Sequence, residues 1–246
     1  MADQASGGTP APTRIDEIAD GIFRLTVAEG RQGGGFTYSS FLVKDEKPLL
    51  YHIGKRSNFA KLKGMIEQIV PLERLRYLAF GHVEADESGA IEEMLAAAPN
   101  SVALVNSAAR RTQLDDRDNL RLQDMKDGEI LSLGSHAVKW LDTPHLPHNW
   151  EAAMMFETTT RTLFCGDLLT QTGWDRPPIT EDMGILEESE AARRKMSYVS
   201  NPKGARPLLE KLAAEKPALL ASMHGSCFKG DGAAMLRKVA DSWDQG

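Results

Sequence analysis

Between residues 82 and 87 the chain reads His82-Val83-Glu84-Ala85-Asp86-Glu87, one imidazole and three carboxylates within six positions. The strand-like run Leu75 to Phe80 precedes it, and a helical pattern opens just after it, with Ala90-Ile91-Glu92-Glu93-Met94-Leu95. A strand, a ligand-bearing turn and a helix allow several side chains to converge on one point. The set contains no thiolate, so it suits iron or manganese better than a structural zinc. The competing explanation is an acidic turn that caps the following helix, with Asp86 as N-cap and Glu87 in its first turn.

Partners for these donors lie downstream. They are Thr143-Pro144-His145-Leu146-Pro147-His148-Asn149-Trp150, then Phe164-Cys165-Gly166-Asp167-Leu168, then Ser222-Met223-His224-Gly225-Ser226. Each follows or ends an apolar, strand-like segment: Ala137 to Leu141, Thr162 to Phe164, and Ala218 to Ala221. Ligand-type clusters at the ends of successive strands are what a metal centre at a sheet edge requires, and this weighs against the capping explanation.

The order His-x-Glu-x-Asp, His, Asp, His resembles the metallo-β-lactamase fold, and within it the di-iron branch of the flavodiiron proteins. There a Glu replaces the second His of the hydrolase pattern His-x-His-x-Asp-His. The resemblance runs from about Gly21 to His224. It includes Thr37-Tyr38-Ser39-Ser40-Phe41-Leu42-Val43, similar to an early strand of the family, and Asn149-Trp150-Glu151 after the second His. It implies an αββα sandwich, an α/β fold with two mixed sheets between helices. It also implies two irons per chain: His82, Glu84, His148 and Asp167 would hold one, and Asp86, Asp167 and His224 the other, with Asp167 bridging. Glu87 stands where the usual family has His and is counted with the ligands of the second iron. A Glu at that place also resembles the stand-alone oxygen-binding di-iron proteins. His52 occupies the place of an Asp that supports the metal turn in many members, so a supporting role is expected for it. His145 is expected to orient or gate.

The composition is compatible with this. At 246 residues, with 41% hydrophobic and 26% charged residues, the chain has the make-up of a soluble globular protein able to bury a sizeable core. A formal net charge of −6 and the lack of a basic patch interleaved with aromatics argue against nucleic acid. No apolar run reaches the ~20 residues of a membrane span. Residues 1–15 read as a disordered leader and 16–246 as a single domain, with a cytoplasmic location expected. Two cysteines, Cys165 and Cys227, cannot form a disulfide framework. Cys165 is expected to be a small buried hydrophobe, Cys227 to be more exposed, and His136 to lie on the surface.

Alternation predicts strands over 21–27, 36–43, 48–53, 75–80 and 101–105, and a hairpin over 154–164 around Thr158-Thr159-Thr160. Helices are expected over 57–70, 90–98, 187–199, 207–214 and 232–243. The segment Thr170 to Met183 lacks periodicity and is expected to form a lid, with Trp174 covering the metals. The stretch Trp174 to Ile179 is the candidate contact of a homodimer.

Charge turns the ligand set into chemistry. Glu84, Asp86, Glu87 and Asp167 together neutralise two ferrous ions, whereas the hydrolase pattern leaves them net positive. An anionic shell favours the oxidised metals and weakens the Lewis acidity that hydrolysis needs. The expected function is therefore a non-haem di-iron protein that binds and reduces dioxygen. The sequence carries no visible flavin-binding module, so electrons are expected from a separate reductase. The alternatives are an oxygen-binding sensor with a signalling partner and a metallo-hydrolase with an altered shell.

Overall fold

The computed structural model describes residues 12–30 and 34–245. Strands β1 (Thr13–Ala19), β2 (Ile22–Glu29), β3 (Phe36–Val43), β4 (Leu49–Tyr51), β5 (Tyr77–Ala79), β6 (Val102–Val105) and β7 (Leu122–Asp124) lie side by side in that order. Pairing is antiparallel from β1 to β4 and parallel from β4 to β7. The second sheet contains β8 (Ile130–Ser132), β9 (Ala137–Asp142), β10 (Ala153–Glu157), β11 (Thr162–Phe164), β12 (Ile179–Thr180), β13 (Leu219–Ala221) and β14 (Cys227–Lys229). Its order is β12-β14-β13-β11-β10-β9-β8. The helices are α1 (Phe59–Glu67), α2 (Ile91–Ala97), the single turn α3 (Ser107–Ala109), α4 (Ile185–Met196), α5 (Arg206–Ala214) and α6 (Gly232–Gln245).

Period-two alternation builds the layers. Phe41, Val43, Leu49, Tyr51, Tyr77 and Ala79 of the first sheet face Ala153, Met155, Phe164 and Ala221 of the second. The residues between them, Leu42, Leu50 and Leu78, turn outward onto α1 and α2 through Leu62, Ile66 and Met94. Met154, Phe156 and Leu163 turn the other way onto Leu209, Leu212, Leu236 and Trp243 of α5 and α6. Both faces of each sheet are thus covered, and the fold is the expected αββα sandwich. At the centre of the inter-sheet layer the Phe164 ring stacks on Tyr51, with centroids 5.2 Å apart, and tilts against Phe41 at 5.4 Å.

Several local expectations are corrected. Thr13-Arg14-Ile15, assigned to the leader, pair with β2 as part of β1; the rest of that leader up to residue 11 lies outside the described residues. His136 is buried, because its Nδ1 meets the buried Glu157 carboxylate at 3.1 Å and its backbone N–H donates to Asp45. Cys227 is fully buried in β14, as Cys165 is at the end of β11. No described helix is long and apolar enough to cross a membrane.

Candidate metal centre

The strand ends gather at one edge of the sandwich, where short connections carry the polar side chains. His82 follows β5, His148 follows β9, Asp167 follows β11 and His224 follows β13. Backbone hydrogen bonds lock these loops to one another across the sheets. Ala153 N–H donates to the Gly81 carbonyl at 2.7 Å, Met223 N–H to Gly166 at 2.9 Å, Ser39 N–H to Met223 at 3.1 Å and Gln171 N–H to His224 at 3.1 Å. The buried Arg24 guanidinium adds a clamp, donating to Ser39 Oγ at 3.0 Å, to the Pro178 carbonyl at 3.1 Å and to the Gly225 carbonyl.

His82, Glu84, His148 and Asp167 each present a ligand atom, and these atoms lie within 4.8 Å of one another. Glu84 Oε2 is 2.7 Å from His82 Nε2 and 2.9 Å from His148 Nε2. Asp167 Oδ2 is 3.7 Å from the first and 3.5 Å from the second. The other oxygen of the same carboxylate, Oδ1, is 3.2 Å from His224 Nε2, which in turn is 3.5 Å from Asp86 Oδ2. Asp167 therefore faces two neighbouring half-sites with one oxygen each. His224 Nδ1 meets the Thr37 carbonyl at 2.7 Å, so its Nε2 is the atom turned to the centre. These imidazole and carboxylate donors are of the kind that iron and manganese accept.

The electrostatics of the cluster follow from burial and charge. Burial alone would depress the His82 imidazole, but the Glu87, Glu84 and Asp167 carboxylates outweigh it and lift His82 to about 10. His224 rises to about 10 in the same way, burial being overcome by Asp167 and Asp86. Glu84, hydrogen-bonded to His148 and His82, is held far below the usual carboxylate range. Burial pushes Asp167 upward, but its contacts with His224, His82 and His148 prevail and bring it to about 2. Raised imidazoles thus lie beside depressed carboxylates in one charge-paired cluster.

Glu87, expected among the ligands, is not in this group. Residues 84–88 wind as a turn, with Ser88 N–H donating to the Glu84 carbonyl at 2.8 Å, so the adjacent Asp86 and Glu87 side chains part company. Asp86 faces His224, while Glu87 turns inward and is fully buried. The capping explanation fails as well, since α2 begins only at Ile91 and no side chain caps it. His52 stands behind Glu87, its Nε2 3.3 Å from Glu87 Oε1. His145 is exposed and contributes its backbone to the loop, its carbonyl accepting from Ser200 Oγ at 3.3 Å. Trp174 does not line the cavity over the donors.

That cavity, about 150 Å³, is bounded by Phe36, Thr170, Met196 and Tyr198 around Glu84, Asp86, His148, Asp167 and His224. Phe36 and Tyr38 flank the His224 ring edge-on, at 5.0 and 5.3 Å. The Tyr198 hydroxyl donates to the Asp167 carbonyl at 3.1 Å. Glu151 was also missed as a brace: buried behind the turn, it accepts from the Val83 N–H at 3.2 Å. Phe36, Met196 and Tyr198 carry no local sequence signal of their role; the fold brings them in from distant segments.

A sequence-family profile described as "ODP family beta lactamase" matches residues 36–225. The chain is 24% identical over 204 residues to rubredoxin-oxygen oxidoreductase of Megalodesulfovibrio gigas, covering 80% of this chain and 50% of that protein. It is 24% identical over 222 residues to the anaerobic nitric oxide reductase flavorubredoxin of Pectobacterium atrosepticum, covering 86% and 43%. Among solved structures, the flavodiiron protein from Giardia intestinalis superposes with a TM-score of 0.81 at 16% identity, covering 97% of this chain and 61% of that one. The chain thus spans about half the length of these relatives. With its αββα core and its order of donors, it belongs to the ODP family of beta-lactamase-fold proteins and is a flavodiiron-like member of that fold.

Proposed function

We propose that this chain is a non-haem di-iron protein that binds and reduces dioxygen, drawing electrons from a separate donor. The observation that carries the reading is the Asp167 carboxylate, which turns Oδ2 to His82 and His148 and Oδ1 to His224. In this reading His82, Glu84, His148 and Asp167 hold one iron, and Asp86, Asp167 and His224 the other. The irons, when bound, supply electrons and coordination positions at which a diatomic gas is reduced.

The remaining residues shape access and charge. A cavity of about 150 Å³ between Phe36 and Tyr198 has room for a diatomic molecule. Glu84 in place of a third imidazole supports redox over hydrolysis, because it stabilises the oxidised metals. With Glu87 turned away, three carboxylates face two divalent ions, one charge short of neutrality, and Glu87 adds its field from behind His82. Complete reduction of dioxygen takes more electrons than two ferrous ions hold, so turnover needs a reductase, and a homodimer remains part of the proposal.

The test is to load metal-free protein with ferrous iron under anaerobic conditions, add a chemical reductant and follow dioxygen and nitric oxide consumption in parallel. The proposal expects dioxygen uptake that is lost in Asp167→Ala. Faster consumption of nitric oxide would reassign the gas. Ester hydrolysis by a zinc-loaded protein, with neither gas consumed, would overturn the reading.

A further inference from the structure

Glu87 enters the proposed function only through its charge, yet its side chain is closely held. Its Oε2 accepts from the backbone N–H of Gly81 at 2.6 Å and of His82 at 2.8 Å. Its Oε1 faces two imidazole nitrogens, His82 Nδ1 and His52 Nε2, each at 3.3 Å. Two glycines make room for it. A Cβ on Gly81 would lie 2.9 Å from Oε2, and one on Gly166, where φ is +54°, would lie 3.3 Å from Oε1. The far side of the pocket is equally fixed, since His52 Nδ1 meets the Ser39 carbonyl at 3.1 Å and Ile53 N–H donates to the Glu87 carbonyl at 2.6 Å. His82 meanwhile directs its Nε2 to Glu84 and Asp167.

We infer that Glu87 is a positioning residue for His82, itself held by His52, and not a metal ligand. The two half-sites are then unequal. One has four side-chain donors, His82, Glu84, His148 and Asp167, with its first imidazole oriented by a buried carboxylate. The other has, among the described residues, Asp86, Asp167 and His224, and a metal held by these three would keep a position open, the arrangement of a reactive rather than a structural metal. The inference rests on the two-metal reading. It adds that the first ion binds tightly at His82 and that the second, at His224, is the exchangeable one.

Cobalt(II) titration of the metal-free protein, followed by calorimetry and visible absorption, separates the possibilities. The wild type should bind in two resolved steps. His224→Ala should remove the weaker step only, and Glu87→Gln, which keeps an oxygen for the Gly81 and His82 N–H groups, should weaken the tighter step by roughly 10–100-fold and leave the other. His52→Asn should act in the same sense through Glu87, which keeps the test alive if Glu87→Gln does not fold. In the zinc-loaded protein the His82 Nδ1–H resonance should move in Glu87→Gln and stay put in His224→Ala, a signature that mere loosening of the loop does not produce. If Glu87→Gln abolishes the weaker step, Glu87 is a ligand; if both steps are untouched, it positions nothing. Either result overturns the inference. Failure of the two-metal reading looks different: the wild type would then bind at most one cobalt, or both steps would survive Asp167→Ala.

Discussion

The raised His82 and His224 imidazoles make metal-dependent stability a function of pH. Both sit at about 10 in the metal-free fold against an ordinary 6.5. A group raised on folding contributes stability that is full below its unfolded pKa and is lost as pH rises through the folded one. The metal-free protein should therefore lose stability from these two groups as pH rises from 6.5 toward 10. With metal bound, neither imidazole carries a proton at Nε2, and the loss disappears. The increment that saturating metal adds should grow about tenfold in equilibrium constant per pH unit and imidazole, or ~1.4 kcal/mol each. For both together that is ~2.7 kcal/mol per unit, which for a chain of this size is roughly 5–11 °C in melting temperature. Thermal melts with and without a fixed excess of manganese(II), between pH 7 and 8.5, measure it. Above that window the buried thiols of Cys165 and Cys227, both pushed up by burial, begin to matter in both states. An increment that stays flat over the window would refute the idea that metal and protons compete for His82 and His224.

Packing and the shape of the cavity set four further outcomes. Phe164→Ala, which empties the ring position between Tyr51 and Phe41, should cost about 3–5 kcal/mol, read from denaturant unfolding. Arg24→Met strips a buried donor from the Pro178 and Gly225 carbonyls and from Ser39, so each orphaned acceptor should cost about 1–3 kcal/mol, and metal retention at His224 should drop with the loosened loop, seen by dialysis and metal analysis. Trp174→Ala should leave the rate of dioxygen consumption unchanged, because the cavity is bounded by Phe36, Met196 and Tyr198, while Tyr198→Phe should alter it.

The metal turn was legible in the sequence because its parts are local. A strand must end before a polar turn, and five apolar-then-polar junctions, after β4, β5, β9, β11 and β13, mark the edge where His52, His82, His148, Asp167 and His224 meet. The order of donors then identified the fold. Direction was not legible. Asp86 and Glu87 are neighbours of the same charge, and only the tertiary pocket made by Gly81, Gly166 and His52 decides that one faces the centre and the other the interior. His136 failed for a related reason, since its partner Glu157 lies on β10, 21 residues further along the chain. Short strands such as β7, β12 and β14 have too few residues to show alternation, and they exist because a neighbouring strand supplies the hydrogen bonds. Helix α1 stops short of the expected ends because Arg56–Asn58 wind as a separate 3₁₀ turn and the helix ends at Glu67. Phe36 and Tyr198, which close the cavity, are separated from the ligand turn by long stretches of chain.

The two-metal centre depends on Asp167 joining its halves. Iron content after anaerobic reconstitution and removal of loose metal, compared between wild type and Asp167→Ala, addresses this directly. The account predicts about two irons per chain in the wild type and loss of both in the variant. One iron per chain in the wild type, or a variant that keeps its metal, would contradict it.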